Sequence, residues 1–166
     1  MLFNAIDSLL SVLKILYGVK KMGMDNLNAT EPLQRFLDAQ KESYDAALME
    51  IMGGRKRTHW MWYIFPQVEG LGLSETSRYY AITGRTQADQ YLKHPILGPR
   101  LVAVCRALME LATNDARMIF GQPDDMKLRS SMTLFSLVPG ADPIFRQVLE
   151  KFFGGEGDAG TMARLL

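Results

Sequence analysis

The sequence predicts an all-α protein, a compact single-domain orthogonal array of about six to eight helices around one core. Three observations carry this. Apolar side chains return at steps of three and four in four separate segments, which is the pattern of helices with one buried face. Gly-Gly pairs, prolines and Ser, Thr or Asp residues punctuate those segments as helix ends and caps do. Only the aromatic run 60–65 reads as extended, and no second strand exists to pair with it.

Residues 1–29 read as an N-terminal extension and 30–166 as the helical domain. Within 2–19 a narrow polar stripe (Asn4, Asp7, Ser8, Ser11, Lys14, Gly18) interrupts an apolar segment. This fits an amphipathic helix that docks on the domain, on a partner or on a membrane surface. The simpler reading is an upstream start codon, with Met22 and Met24 just ahead of the domain. Asp7 and Lys14 argue against a membrane span. The basic start and small-residue cleavage site of a signal peptide are missing. Residues 20–29 read as a polar linker.

A first helix starts near residues 30–32 and buries Leu33, Phe36, Leu37, Gln40, Tyr44, Ala47, Leu48 and Ile51, until Gly53-Gly54 ends it. In an extended aromatic run Trp60, Trp62 and Ile64 share one face and Met61, Tyr63 and Phe65 the other, so both faces are apolar and buried. Pro66 stops it. Ser74 caps a short helix through Ile82 and Thr86 another to Lys93, which His94-Pro95 breaks. His94 reads as a helix-end residue whose charged form suits the dipole. Gly98-Pro99 opens the longest central helix, to about Thr113, with Leu97, Leu101, Val104, Cys105, Leu108, Leu111 and Ala112 as its stripe. Asp115 starts a short helix ending at Gly121. Pro123, Asp124 and Asp125 then suit a helix start. As an acid/base couple the aspartates point about 100° apart, so capping explains them more simply. Asp142 caps a helix bearing Ile144, Phe145, Val148, Leu149, Phe152 and Phe153, Gly154-Gly155 ends it, and Asp158 caps a last helix through Leu166.

Composition narrows the function. A formal charge of +1 excludes non-specific coating of nucleic acid, which needs a broad basic face. One cysteine, Cys105, allows neither an internal disulfide nor a Cys-based zinc site and suits a reducing, cytoplasmic setting. It lies mid-helix among apolar residues, where inert core is the simpler role. His59 and His94 are the only histidines and form no His-Glu-x-x-His pattern, so neither a metal nor a cofactor is expected.

The richest stretch is 55–67. Arg55, Lys56, Arg57 and His59 lead straight into Trp60, Trp62 and, further on, Gln67. Cations beside aromatic faces suit an anionic or nucleotide-like ligand, since guanidinium groups fork onto phosphate oxygens. His59 is the acid/base candidate there, because its ordinary pKa lies near neutrality. Gln67 supplies an amide, and Tyr79 is close enough in sequence to complete the pocket. The competing reading of the same run is plain core packing. Lys127, Ser130 and Ser131 fall on one helix face at i, i+3 and i+4. A Lys127-activated Ser131 is conceivable chemistry. Hydroxyls bonded to the preceding turn are the structural alternative.

These motifs carry a resemblance. Gly54-Arg-Lys-Arg-Thr-His-Trp-Met-Trp-Tyr-Ile-Phe-Pro-Gln67, Ser77-Arg-Tyr-Tyr-Ala-Ile82, His94-Pro95, Leu97-Gly-Pro-Arg-Leu101, Ile119-Phe-Gly121, Lys127-Leu-Arg-Ser-Ser-Met-Thr-Leu-Phe135 and Phe152-Phe-Gly-Gly155 resemble domain of unknown function 1810. This uncharacterised bacterial family is often mislabelled calpastatin. The resemblance runs from about Pro32 to the C-terminus and implies a multi-helical domain. It implies no activity and transfers no catalytic residue. Two classes of function remain. One is a small-ligand binder or enzyme at 55–67; the other is a protein-interaction module using the same Arg and Trp side chains as a hot spot.

Overall fold

The computed structural model describes residues 32–165, so the N-terminal extension expected over 1–29 lies outside the described residues. The chain divides into two units, Met1–Arg35 and Phe36–Leu166. Nine helices lie among the described residues and the fold is all-α. They are α1 (32–52), α2 (Met61–Ile64), α3 (Glu75–Tyr79), α4 (Arg85–Lys93), α5 (Leu97–Glu110), α6 (Ala116–Phe120), α7 (Asp124–Ser136), α8 (Ile144–Phe153) and α9 (Ala159–Leu165). Among these residues no helix is long and apolar enough to cross a membrane.

The aromatic run is not extended. It closes one helical turn, in which the amides of Ile64 and Phe65 reach back to the carbonyls of Trp60 and Met61. A lone strand would leave its backbone groups unpaired, and one turn pairs them locally. The expected split of faces goes with it: Trp60, Met61, Ile64 and Phe65 are buried, whereas Trp62 and Tyr63 are only half-buried. The only bridge pairs Val68 with Ile82 among the described residues. Because Ile82 is held by Gln67 and Glu69, α3 stops at Tyr79 rather than continuing to Ile82.

Several helix ends are local and follow the sequence. Ser74 Oγ accepts the Ser77 amide. Asp115 Oδ1 accepts those of Arg117 and Met118. Asp158 Oδ2 takes both the amide and the hydroxyl of Thr161. Gly154, with φ at 62°, closes α8 in the left-handed conformation that glycine adopts at least cost. Thr86 is not a cap. It lies inside α4, whose N-cap is Gly84, and Gln87 accepts the free Thr83 amide instead.

α7 is central. It packs against α4, α6, α8 and α9, and α5 packs against α4 and α8. A chain of rings ties α1, α4, α7 and α8 together: Phe36 to Tyr91 at 5.2 Å, Tyr91 to Phe135 at 5.3 Å and Phe135 to Phe145 at 5.8 Å. Buried Gln40 satisfies its amide against the Tyr63 carbonyl, the Tyr91 hydroxyl and Arg100. Cys105 is fully buried with Sγ 3.5 Å from Met132 Sδ, and burial pushes its thiol pKa up.

His94 differs from the charged helix-end residue expected. Its Nδ1 accepts the amides of Ile96 and Leu97, at 3.1 and 3.3 Å, and so joins α4 to α5 as a neutral acceptor. Burial holds its pKa below the ordinary 6.5. A proton on Nδ1 would meet two N–H donors head-on.

Candidate functional site

The site starts where α1 ends. Gly54 turns the chain at φ 71°, and the Lys56 amide then bonds the Ile119 carbonyl on α6 at 2.8 Å. Glu50, on the last turn of α1, reaches over this loop. Its carboxylate accepts from the amides of Arg57 (2.6 Å) and Thr58 (3.1 Å), the Thr58 hydroxyl (2.7 Å) and the Trp60 indole N–H (2.8 Å). Partial burial raises the Glu50 pKa, but these four donors outweigh it and hold it at about 2.

A second carboxylate joins the two halves of the candidate site. Asp124, the first residue of α7, takes Lys56 Nζ on one oxygen at 2.9 Å and Lys127 Nζ on the other at 2.7 Å. Each ammonium also lies over a tryptophan, Lys56 at 5.3 Å from Trp60 and Lys127 at 4.6 Å from Trp62. Burial pushes the Asp124 pKa up, yet the two ammonium groups bring it below the usual range. Asp124 stands in the first turn of α7, as expected, but its carboxylate caps no amide and serves there as an ion-pair hub.

The structure places the remaining candidates as follows. Trp60 is fully buried against Phe65 and Phe120, so it offers no open face for stacking. Trp62 is half-buried beneath Lys127. Arg55, Arg57 and His59 are exposed, and their side chains make no hydrogen bond or ion pair among the described residues. Gln67 is half-buried and contributes its backbone carbonyl to Ile82. Tyr79 is exposed at the end of a ladder in which it meets Tyr80 at 4.8 Å, Tyr80 meets Tyr63 at 5.2 Å, and the Tyr63 hydroxyl reaches the His59 carbonyl.

The serines stand apart from this cluster. Ser130 Oγ donates to the Met126 carbonyl one turn back. Ser131 Oγ is buried with no hydrogen-bond partner among the described residues. Lys127 is committed to Asp124, and no hydrogen bond links it to Ser131. The nucleophile–base contact that a Lys-activated serine needs is absent from this geometry.

An open groove of about 530 Å³ runs beside the cluster. Gly53, Gly54, Arg55 and Lys56 form one wall, Arg117 and Met118 of α6 line the other, and no carboxylate lines it among the described residues. Two features that sequence reasoning missed shape this region. Glu50 fixes the loop, and Arg117 brings a third base to the groove. Neither has a signal within one helical turn: Glu50 acts seven to ten residues ahead, and Arg117 comes to face the 53–56 turn only in the fold.

An all-α domain with a basic groove beside a lysine–aspartate–lysine hub defines the class. The family is shown by comparison: residues 30–165 match the model described as "Protein of unknown function (DUF1810)", and the chain belongs to that family. It is 43% identical to the conserved hypothetical protein Rv1873 from Mycobacterium tuberculosis, whose crystal structure aligns with a TM-score of 0.78 over 80% of this chain and 95% of that one. No curated protein matches.

Proposed function

We propose that the protein binds a small anionic ligand in the groove between the 53–56 turn and α6. The observation that carries this is the lining, which among the described residues holds Arg55, Lys56 and Arg117 and no acid. The Arg55 and Arg117 guanidinium groups make no ion pair among the described residues, and such groups fork readily onto phosphate or carboxylate oxygens. The glycines at 53 and 54 let a ligand approach the backbone closely. Recognition is by charge rather than by stacking, because Trp60 is buried and Trp62 already faces Lys127. Binding is proposed, and no reaction is assigned. The lone buried Cys105 supports a cytoplasmic setting.

Isothermal titration with inorganic phosphate, pyrophosphate and citrate tests this, using wild type, Arg55→Ala/Arg117→Ala and His59→Ala. Saturable, salt-sensitive binding that only the arginine pair abolishes is the expected result. Failure of all three anions to bind, or equal binding by the arginine variant, rejects the proposal.

One observation favours a second reading, a protein-interaction surface. Met49, Met52 and Met118 are 73%, 65% and 69% exposed, and Met118 lines the groove itself. Flexible thioethers beside arginines suit an adaptable protein contact. On this reading Met52→Glu/Met118→Glu abolishes partner binding, while anion titrations give nothing.

A further inference from the structure

We infer that a separate groove, between α4, α5 and the 138–142 turn, binds a small amphipathic carboxylate, with its apolar body on the groove floor and its anionic head at Arg106. The groove holds about 550 Å³, within the range of roughly 300–1,000 Å³ usual for small-ligand sites. Its floor is Val138 and Phe145, both buried, and its walls include Leu92, Val102 and Ala103.

Local packing creates the space. A Cβ on Gly98 would lie 2.0 Å from the Leu92 carbonyl oxygen, so α4 and α5 meet backbone to backbone at that end. Further along α5 the small side chain of Ala103 leaves the groove open to the turn.

The charges around the rim choose the ligand's sign. Lys93 is committed to Asp89 at 2.7 Å. Asp142 is partly occupied, because its Oδ1 accepts the Ile144 amide at the start of α8 at 2.9 Å. Arg106 forms only a long ion pair with Asp142, at 3.8 Å and without a hydrogen bond, and its guanidinium makes no hydrogen bond among the described residues. The most loosely held charge on the rim is thus the planar Arg106 cation, above an apolar floor and open to a closer carboxylate than Asp142. A carboxylate on a short hydrocarbon chain meets both.

Titration of the full chain with octanoate, octan-1-ol and octylamine separates body from head. Octanoate is expected to bind most tightly and octylamine least. Arg106→Gln should weaken octanoate about tenfold, to the level of the alcohol, as loss of one charge-assisted contact does, and leave the alcohol unchanged. Val102→Trp, which fills the groove, should remove binding of all three. Octanoate no tighter than octanol, or unaffected by Arg106→Gln, overturns the assignment. A concentration-dependent dimer in sedimentation that Val102→Trp disrupts also overturns it, in favour of a second copy in the groove. Should Val102→Trp fail to fold, Arg106→Gln on its exposed side chain decides alone.

Discussion

Glu50 does more for the candidate site than any basic residue in it. One carboxylate at the end of α1 satisfies two amides, a hydroxyl and the Trp60 indole, and so fixes the backbone from which Arg55, Arg57 and His59 project. Glu50→Gln keeps the shape but replaces one acceptor oxygen with a donor and removes the charge. At pH 7 it should cost about 1–2 kcal/mol, the scale of charge-assisted hydrogen bonds discounted for partial exposure. The pH dependence has a definite sign. The folded pKa of about 2 lies below the ordinary 4.5, so Glu50 stabilises fully above 4.5 and loses that contribution as pH falls towards 2. Urea melts of both proteins at pH 7 and pH 3 should show the wild-type advantage shrinking at the lower pH. An advantage unchanged at pH 3 would mean the carboxylate charge is not what holds the loop.

At the scale of elements, the corner between α4 and α5 depends on a neutral histidine. His94 has a folded pKa below its ordinary 6.5, so the unfolded chain binds the extra proton as the medium is acidified. Stability from this group is complete above 6.5 and falls as pH drops through that value. His94→Asn supplies a side-chain oxygen near the position of Nδ1 and does not titrate. It should match wild type at pH 8 within about 0.5 kcal/mol and become the more stable protein at pH 5, whereas His94→Ala lies about 1 kcal/mol below wild type at pH 8 and closes that gap at pH 5. Thermal melts at the two pH values measure this, and equal pH profiles for wild type and His94→Asn would refute it. The same corner shows what sequence made legible. The break at His94-Pro95 was readable because proline acts on its immediate neighbour. The caps at Ser74, Asp115 and Asp158 were readable because a cap acts within three residues. The role of the imidazole was not, because its burial depends on packing from elsewhere. The helical turn at Met61–Ile64 escaped for a related reason: four residues are too few to show a period.

Across the whole molecule, the Lys56–Asp124–Lys127 hub ties the loop after α1 to the central helix α7 and links both candidate regions. No sequence signal announced the Lys56–Asp124 arm, because partners so far apart in the chain meet only once the fold forms, whereas Asp124 and Lys127 are an i, i+3 pair on one helix. Lys56 has two roles, as it pairs with Asp124 and also lines the basic groove. Stability and binding should therefore oppose each other at Asp124. Asp124→Asn leaves two lysines, with side chains only 10% and 20% exposed, sharing one neutral amide. Their mutual repulsion and lost pairing should cost about 2 kcal/mol, less than a fully buried pair because water still reaches them. The same change frees the Lys56 charge for the groove. Phosphate affinity should rise about threefold to tenfold, and the gain should shrink with added salt. Lys56→Met should weaken phosphate binding and make the Asp124→Asn substitution milder, since coupled charges are not additive. Urea melts and phosphate titrations on the two single variants and the double variant measure both quantities. If Asp124→Asn destabilises the protein but leaves phosphate affinity unchanged, the hub belongs to the fold alone and the groove draws its charge from Arg55 and Arg117.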